Sequence, residues 1–282
     1  MKKTVIFSSL IFALAAPVAA PAPADSGYII STGREGGSYF TTQGPKVVKY
    51  LRGAGVTNVT FVPSSGSLEN LSRVAKNEAQ IGFTQADALL YFKKTDPVGG
   101  NNIDIGAPLT KECLFVVAQK SGKVDDVDDL KKKGITVAAG ADGDGSRATF
   151  DYMGVLDKGF KEPNISDIGG ALGLAQLAAG QADAFLFVTN PDTLQSSELF
   201  QLVMSNPRLK IVNANSWSLN DKLPNGDVLY SKENVVTKPG LFGDSVNTIC
   251  MQSYVVTYNG IPVGDKEKFA KAFLRMAASN NK

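Results

Sequence analysis

The order strand, glycine-rich turn, helix occurs twice in this chain, and this repeat constrains the fold more than any other sequence feature. The first copy has a strand at 28–31, a first glycine turn at 32–38 and a helix to about Arg52. The second has a strand at 135–139, a second glycine turn at 140–146 and a helix to about Leu156. Short apolar strands alternating with amphipathic helices predict an α/β fold with a largely parallel sheet. Two such beginnings predict two lobes rather than one.

The remaining segments extend the same alternation. Apolar runs predict further strands, and helical spacing of apolar residues predicts further helices. Pro45 is expected to start, kink or divide the first helix. The stretch 99–106 (GGNNIDIG) predicts a loop, and residues 205–212 have a less regular pattern. The other predicted strands are 56–63, 80–84, 114–118, 182–188 and 248–257, and the other helices lie within 64–79, 86–93, 124–133, 171–179 and 265–279.

Each glycine turn leads into the N-terminus of a helix, where unpaired backbone N–H groups and the helix dipole favour an anion. If the two turns face each other across a cleft, they would hold a ligand from both sides. A glycine-rich turn alone is a weak signal, because most such turns only reverse the chain. The occurrence of two after comparable strands favours a binding site.

The first 24 residues have the pattern of an export signal. Lys2 and Lys3 precede the apolar run 5–16, and Ala22-Pro23-Ala24 gives the small-x-small pattern for cleavage before Asp25. The apolar run is too short for a membrane-spanning helix, which needs roughly 20 residues. We therefore expect residues 1–24 to be a signal peptide and the protein to lie in the periplasm.

The charge balance argues against nucleic acid as a partner. Cleavage before Asp25 removes two of the 29 basic residues and none of the 27 acidic ones, so the charges are balanced. A protein that binds nucleic acid or an anionic membrane would need a basic excess.

Histidine is absent from the sequence, which argues against an enzyme. The usual general base, the Ser-His-Asp and Cys-His nucleophile systems and the commonest zinc ligand are all missing. A Ser-Lys or carboxylate mechanism stays open. We predict a binding protein without cofactor or metal.

The two cysteines, Cys113 and Cys250, both fall in apolar, strand-like runs. In an oxidising compartment an even count fits a disulfide. Two buried free thiols fit the same pattern, so the sequence leaves the choice open.

Five ordered blocks between residues 30 and 257 resemble the TAXI family, the extracytoplasmic receptors of certain TRAP transporters. They are STGREGGSYF (31–40), SSGSLENLSRVAKNEAQIGFTQAD (64–87), VDDLKKKGITVAAGADGDGSR (127–147), LAAGQADAFLFVTNP (177–191) and PGLFGDSVNTI (239–249). The resemblance implies the two-lobed type II periplasmic-binding-protein fold, with a ligand cleft between the lobes. The chain departs from the family pattern at Arg147, where the family usually has Gly, at Leu241, which replaces a Tyr, and at Thr42-Gln43.

The resemblance and the strand ends together suggest a set of ligand-binding residues. In the first lobe they are Gly37, Ser38, Tyr39, Ser65, Gln85 and Asp87; in the second they are Gly145, Ser146, Arg147, Thr189 and Asn190. Arg147 is expected to grip a carboxylate with two charge-assisted bonds. Simpler roles fit the same residues: Ser38 as a helix cap, Ser67 with Asn70 in local capping, Asp87 as the cap of the next helix and Arg147 as a solvated helix arginine.

The sequence thus predicts a monomeric solute-binding protein that closes over a small organic anion or amino acid and delivers it to the membrane subunits of a TRAP-type transporter. Lobe 1 is expected to contain residues 25–113 and 250–282, and lobe 2 residues 114–249, with hinge strands near 114–118 and 248–257. An ABC importer or a sensor kinase would be served by the same fold. The sequence also leaves open a secreted enzyme on a similar fold and a surface protein that binds no solute.

Overall fold

The computed structural model describes residues 27–223, 226–240 and 243–280, so the predicted signal peptide and Leu241 lie outside the described residues. The strands are β1 (Tyr28–Ser31), β2 (Val59–Val62), β3 (Ile81–Gln85), β4 (Ile103–Gln119), β5 (Thr136–Ala138), β6 (Asn164–Ser166), β7 (Ala184–Thr189), β8 (Leu209–Val212), β9 (Ser231–Lys238) and β10 (Asp244–Tyr258). The α-helices are α1 (Gly44–Gly53), α2 (Ser67–Ala75), α3 (Ala86–Thr95), α4 (Pro97–Gly100), α5 (Gly145–Leu156), α6 (Gly170–Ala178), α7 (Glu198–Ser205) and α8 (Val263–Asn280). A π-helical turn (Tyr39–Gln43) precedes α1, and short 3₁₀ segments lie at Val127–Lys131, Lys158–Lys161 and Pro191–Ser196.

The strands form one mixed sheet in the order β2-β1-β3-β10-β4-β7-β5-β6, with β8 paired to β4 and β9 paired to β10. The pairs β1-β2, β1-β3, β5-β6 and β5-β7 are parallel, as the strand-helix alternation predicted. The centre of the sheet is antiparallel, because β10 runs against β3 and β4, and β4 runs against β7. The α/β class is confirmed, and the sheet is less parallel than predicted.

The long strands β4 and β10 connect the two parallel parts of the sheet. Residues 103–112 of β4 pair with β10, whereas residues 113–118 pair with β7. The prediction of a loop over 99–106 holds only for residues 101–102, because α4 ends at Gly100 and β4 already begins at Ile103, opposite Tyr258. The polar and glycine residues of this stretch carry a weak strand signal, and pairing with β10 overrides it.

Cys113 and Cys250 form a disulfide in the structure, with an S–S distance of 2.02 Å. Both residues are fully buried. They lie where the long strands change partners, since Cys113 is the first residue of β4 paired to β7 and Cys250 is the last residue of β10 paired to β9. The cross-link therefore joins the two connecting strands at the point where they diverge.

The C-terminal helix packs on the part of the chain that contains β1. The ring of Phe269 in α8 meets the ring of Tyr28 edge to face at 5.0 Å, and the Tyr28 hydroxyl donates to Asp265 at 2.6 Å. Phe273 and Met276 are buried in the same hydrophobic cluster as the apolar side of β1. Within the described residues, no helix is both long enough and apolar enough to cross a membrane.

The segment between β7 and β10 contains short elements that the sequence pattern does not mark. It includes α7, β8 and β9, and β8 lies in the stretch 205–212 whose pattern is less regular. Phe200 and Val203 of α7 are buried in one cluster with Leu209 of β8. These short elements obtain their stability from tertiary packing rather than from a long periodic pattern.

Candidate functional site

A cavity of about 150 Å³ lies where the first glycine turn, the start of α2 and the end of β3 face the start of α5 and the end of β7. Its walls thus come from both copies of the strand, turn, helix repeat. The predicted residues that line it are Gly37, Ser38, Tyr39, Ser65, Gln85, Gly145, Ser146 and Thr189. The lining residues absent from the prediction are Gly33, Arg34, Gly66, Ser67, Glu112, Asp144 and Val188.

The second glycine turn contacts the start of α2 through the backbone. The Leu68 N–H donates to the carbonyl oxygen of Gly143 at 3.2 Å. Gly66 has a φ of 150°, a conformation that favours glycine, and a β-carbon there would lie 2.8 Å from the nitrogen of Gly145. Only a residue without a side chain allows this close approach.

Asp144 is the N-terminal cap of α5. Its Oδ1 accepts from the Ser146 N–H at 2.9 Å, and its Oδ2 accepts from Nη2 of Arg34 at 2.5 Å. The Ser146 hydroxyl accepts from the Val188 N–H at 3.2 Å. A carboxylate of the protein therefore accepts from one of the backbone N–H groups at the start of α5. The sequence suggested that these N–H groups would be open to an external anion.

Burial raises the pKa of the Asp144 carboxyl, and the charge of Arg34 acts in the opposite direction. The Arg34–Asp144 ion pair joins the first glycine turn to the second. About half of the Arg34 side chain, 47%, is exposed, so the pair is accessible to solvent and weak as a source of stability. Its position makes it a contact across the cleft.

Arg147, which was expected to grip a ligand carboxylate, does not line the cavity in this structure. Its Nε donates to Asp151 at 3.0 Å and its Nη1 donates to Asp167 at 2.7 Å, and Asp142 lies 3.5 Å from Nη2. Successive residues of a helix point about 100° apart, so Arg147 faces another side of α5 than the cavity-lining Ser146.

Asp87 and Asn190 are likewise outside the cavity lining. Asp87 is fully buried at the start of α3, where it accepts from the Tyr230 hydroxyl at 2.9 Å and from the Ala88 N–H at 2.7 Å. Burial raises the pKa of its carboxyl. Asn190 caps the 3₁₀ segment that follows it, accepting from the Asp192 N–H at 2.7 Å. Asp87 thus contacts the first turn of its helix, the simpler role that its position also fitted.

Ser65, in the turn before α2, and Ser67, the first residue of α2, are held by neighbouring polar side chains. Ser65 donates to Oε2 of Glu69 from its N–H at 2.7 Å and from its hydroxyl at 2.6 Å. The Ser67 hydroxyl donates to Oε1 of Gln85 at 2.5 Å. The fully buried Asn70 donates to a backbone carbonyl of β3 at 2.8 Å, which ties α2 to this strand. These bonds fix the polar lining before any ligand arrives.

Glu112 is the cavity residue that the sequence interpretation missed most clearly. It lies on β4, it is 5% exposed, and burial raises the pKa of its carboxyl to about 7. The nearby hydroxyls of Tyr39 and Ser253 favour its charged form, and the charge of Asp87 opposes it. The available sequence signal was a single acidic residue directly before the apolar run 113–118.

Tyr39 lines the same cavity as Glu112. Its hydroxyl oxygen is buried and makes no hydrogen bond of acceptable geometry within the described part of the chain. Burial, followed by the charge of Glu112, raises its pKa, so the hydroxyl stays protonated. A polar group of this kind in a cavity wall is ready to bond a ligand.

Residues 30–278 match the sequence profile of the NMT1-like family. The chain belongs to the NMT1-like family. The match covers both glycine turns, the whole sheet apart from the first residues of β1, and every residue that lines the cavity.

Solved structures similar to this NMT1-like chain share its fold at low sequence identity. A histidine kinase sensor domain with similarity to periplasmic binding proteins has a TM-score of 0.56 at 13% identity, covering 91% of this chain and 92% of its own. The GluR0 ligand-binding core from Nostoc punctiforme in complex with L-glutamate has a TM-score of 0.52 at 13% sequence identity. The match covers 90% of this chain and 94% of that core. XAC2383 from Xanthomonas citri bound to ATP has a TM-score of 0.54 at 9% sequence identity. The match covers 88% of this chain and 83% of XAC2383.

These likenesses establish the fold of the NMT1-like chain as that of type II periplasmic binding proteins, as the sequence resemblance implied. Its cavity offers hydroxyl, amide and carboxyl groups suited to hold a small polar molecule. Within the described ranges, no group of three or more His, Cys, Asp or Glu residues is arranged to hold a metal ion.

Proposed function

We propose that this chain is an extracytoplasmic solute-binding protein that captures a small organic anion or amino acid by closing two lobes over it. The observation that carries the proposal is the polar cavity with walls from both copies of the strand, turn, helix repeat. Membership of the NMT1-like family and the type II periplasmic-binding-protein fold support it.

Closure of the cleft is the proposed mechanism. Lobe 1 comprises residues 25–113 and 250–282, lobe 2 comprises residues 114–249, and β4 and β10 bend between them. The Leu68–Gly143 backbone bond and the Arg34–Asp144 ion pair belong to the closed form. A solute that contacts both glycine turns stabilises this form over the open one by its differential affinity.

The partner proposed from the five TAXI-like sequence blocks is the membrane part of a TRAP-type transporter, which the monomeric protein meets in the periplasm after cleavage of residues 1–24. A membrane sensor kinase is the second candidate, because a histidine kinase sensor domain is among the structures with this fold. An ABC importer would use the same closure. Uptake of the solute should fail when the gene is deleted if the protein serves a transporter, whereas loss of a sensor protein would leave uptake intact and abolish a transcriptional response.

The binding proposal is tested by native mass spectrometry of the mature protein, residues 25–282, purified from the periplasm. We expect a single small polar solute to co-purify and to be released on denaturation. Adding it back to the stripped protein should raise the melting temperature and reduce the radius of gyration in X-ray scattering. The proposal fails if no solute co-purifies and a broad panel of metabolites changes neither quantity.

A further inference from the structure

Glu112 stands out in the cavity because it is a carboxylate without a cation. It lines the cavity from β4 and is 5% exposed. Among the ion pairs of residues 27–223, 226–240 and 243–280, none involves Glu112. Moving a carboxylate out of water costs free energy unless a partner charge or hydrogen bonds replace the lost hydration.

Within the described part of the chain, the polar groups that act on the Glu112 carboxyl come from three other elements, and none of them is positive. Tyr39 of the π-helical turn and Ser253 of β10 contribute hydroxyls, and Asp87 at the start of α3 contributes a further negative charge. These hydroxyls compensate the charge of Glu112 only in part, since its pKa remains raised.

The cavity as a whole has an excess of carboxylates over cations. Of the described residues that line it, Arg34 is the sole cation, and it is bonded to Asp144. Glu112, the other carboxylate among the described lining residues, therefore has no compensating positive charge.

A cationic group on the solute would correct this imbalance. An ammonium group carries three N–H donors and no acceptor. The carboxylate of Glu112 can accept from it, and so can the buried Tyr39 oxygen, which accepts no hydrogen bond in the described part of the chain. Charge-assisted bonds of this kind are stronger than neutral ones, and desolvation in a closed cleft strengthens them further.

We propose that Glu112 binds an ammonium group of the solute, so that the site selects an amino acid or amine over an otherwise identical acid without nitrogen. The inference rests on the proposed binding function and narrows it. An organic anion that lacks nitrogen would place its negative charge beside Glu112 and Asp144, and Arg34 is the one compensating cation among the described lining residues.

If Glu112 binds an ammonium group, the affinity for the solute should increase as the pH rises. Burial raises the pKa of Glu112 to about 7, so below that pH the unliganded carboxyl must lose a proton before it pairs with an ammonium group. Affinity is then expected to rise roughly tenfold between pH 6 and pH 8. A solute without nitrogen that accepts a hydrogen bond from protonated Glu112 would show the opposite trend.

The test compares amino acids with their nitrogen-free analogues by isothermal titration calorimetry. A thermal-shift screen of the amino acids and the corresponding hydroxy and unsubstituted acids selects the probes, including L-glutamate against glutarate and L-alanine against L-lactate. We expect at least one amino acid to bind at least tenfold more tightly than its analogue, with affinity rising from pH 6 to pH 8.

Two variants assign this preference to the site. Glu112→Gln keeps the shape of the side chain and should abolish both the preference for nitrogen and the rise with pH. Tyr39→Phe should weaken amino-acid binding several-fold while keeping the preference. Glu162→Gln, which removes an exposed carboxylate outside the cavity lining, is the matched control and should behave as wild type.

Several outcomes would overturn the inference. They are equal binding of an amino acid and its analogue, affinity that falls as the pH rises, an unchanged preference in Glu112→Gln, and failure of every amino acid and amine to bind. If a nitrogen-free solute alone binds the wild type, the proposed binding function stands and this inference fails. If no solute of any class binds, both fail.

Discussion

A β-carbon on Gly66 would lie 2.8 Å from the amide nitrogen of Gly145, although the two residues belong to opposite walls of the cavity. The adjoining contact is the backbone bond from Leu68 to Gly143. The two backbone segments thus approach within a distance that leaves no room for a methyl group.

Gly66→Ala is therefore expected to prevent full closure and to weaken solute binding at least tenfold. Calorimetry with the co-purified solute measures the affinity, and X-ray scattering measures the loss of compaction on binding. Gly55→Ala is the matched control, because Gly55 also has a positive φ, 89°, but a β-carbon there meets nothing within 4 Å. Equal affinities of the two variants would contradict a role of Gly66 in closure.

Arg147→Ala should leave solute affinity within about twofold of wild type, since Arg147 does not line the cavity. The free energy of unfolding should fall by about 1–3 kcal/mol, because charged hydrogen bonds to Asp151 and Asp167 are lost. Arg34→Ala is the contrasting variant: its partly exposed ion pair adds little stability, but its removal should reduce affinity. A tenfold loss of affinity in Arg147→Ala would return this residue to the site.

Glu112 should make the unliganded protein less stable as the pH rises from about 4.5 to about 7. In that window the folded protein retains a proton that the unfolded chain releases, since burial raises the pKa of Glu112 from 4.5 to about 7. The free energy of unfolding then falls by up to about 3 kcal/mol across the window. Glu112→Gln should remove this decline and be more stable than wild type at pH 8, as measured by urea denaturation at several pH values.

The control for this prediction is Glu233→Gln, because the contribution of Glu233 to the free energy of unfolding should change with pH in the opposite direction. The hydrogen bond from Lys111 lowers the pKa of Glu233, so its contribution is present above the unfolded pKa and is lost as the pH falls. As a partly exposed pair it should contribute no more than about 1 kcal/mol. A stability profile of Glu112→Gln that parallels wild type would count against a buried, high-pKa carboxyl.

Removal of the Cys113–Cys250 disulfide should lower the free energy of unfolding by about 2–5 kcal/mol, because the bond closes a long loop, with a sequence separation of 137 residues. The double variant Cys113→Ala/Cys250→Ala and the reduced wild type are compared by urea denaturation. The reduced protein retains the buried sulfur atoms and isolates the effect of the cross-link. An unchanged unfolding midpoint after reduction would show that the bond adds no stability.

Tyr230→Phe should destabilise the protein by about 1–3 kcal/mol, since it leaves the fully buried Asp87 carboxyl without the hydroxyl that donates to it. Tyr152→Phe, which removes the hydroxyl bonded to the less buried Asp221, should cost less. Chemical denaturation of both variants at neutral pH measures the two losses, and equal losses would contradict a larger contribution of the hydrogen bond to the fully buried Asp87.

The sequence alone determined the features that depend on local order along the chain. The repeated strand, glycine turn and helix predicted β1, α1, β5 and α5, and Pro45 lies in the first turn of α1 as expected. Apolar runs also predicted β3 and β7 close to their observed bounds, and helical spacing placed α2 within its predicted stretch. These patterns are local, so they can be recognised without knowledge of the partners.

The tertiary structure decided which polar residues meet in the cavity. Glu112 reaches it because β4 extends well beyond its apolar run to pair with β10, a long-range pairing that no local pattern encodes. Arg147 is turned away by its position on α5 and held by carboxylates, although its place after the second glycine turn suggested a ligand contact. The pairing of Cys113 with Cys250 likewise depends on two strands distant in sequence. Local sequence order marks the longer strands and helices, whereas packing between distant elements forms the short ones and decides which side chains share a site.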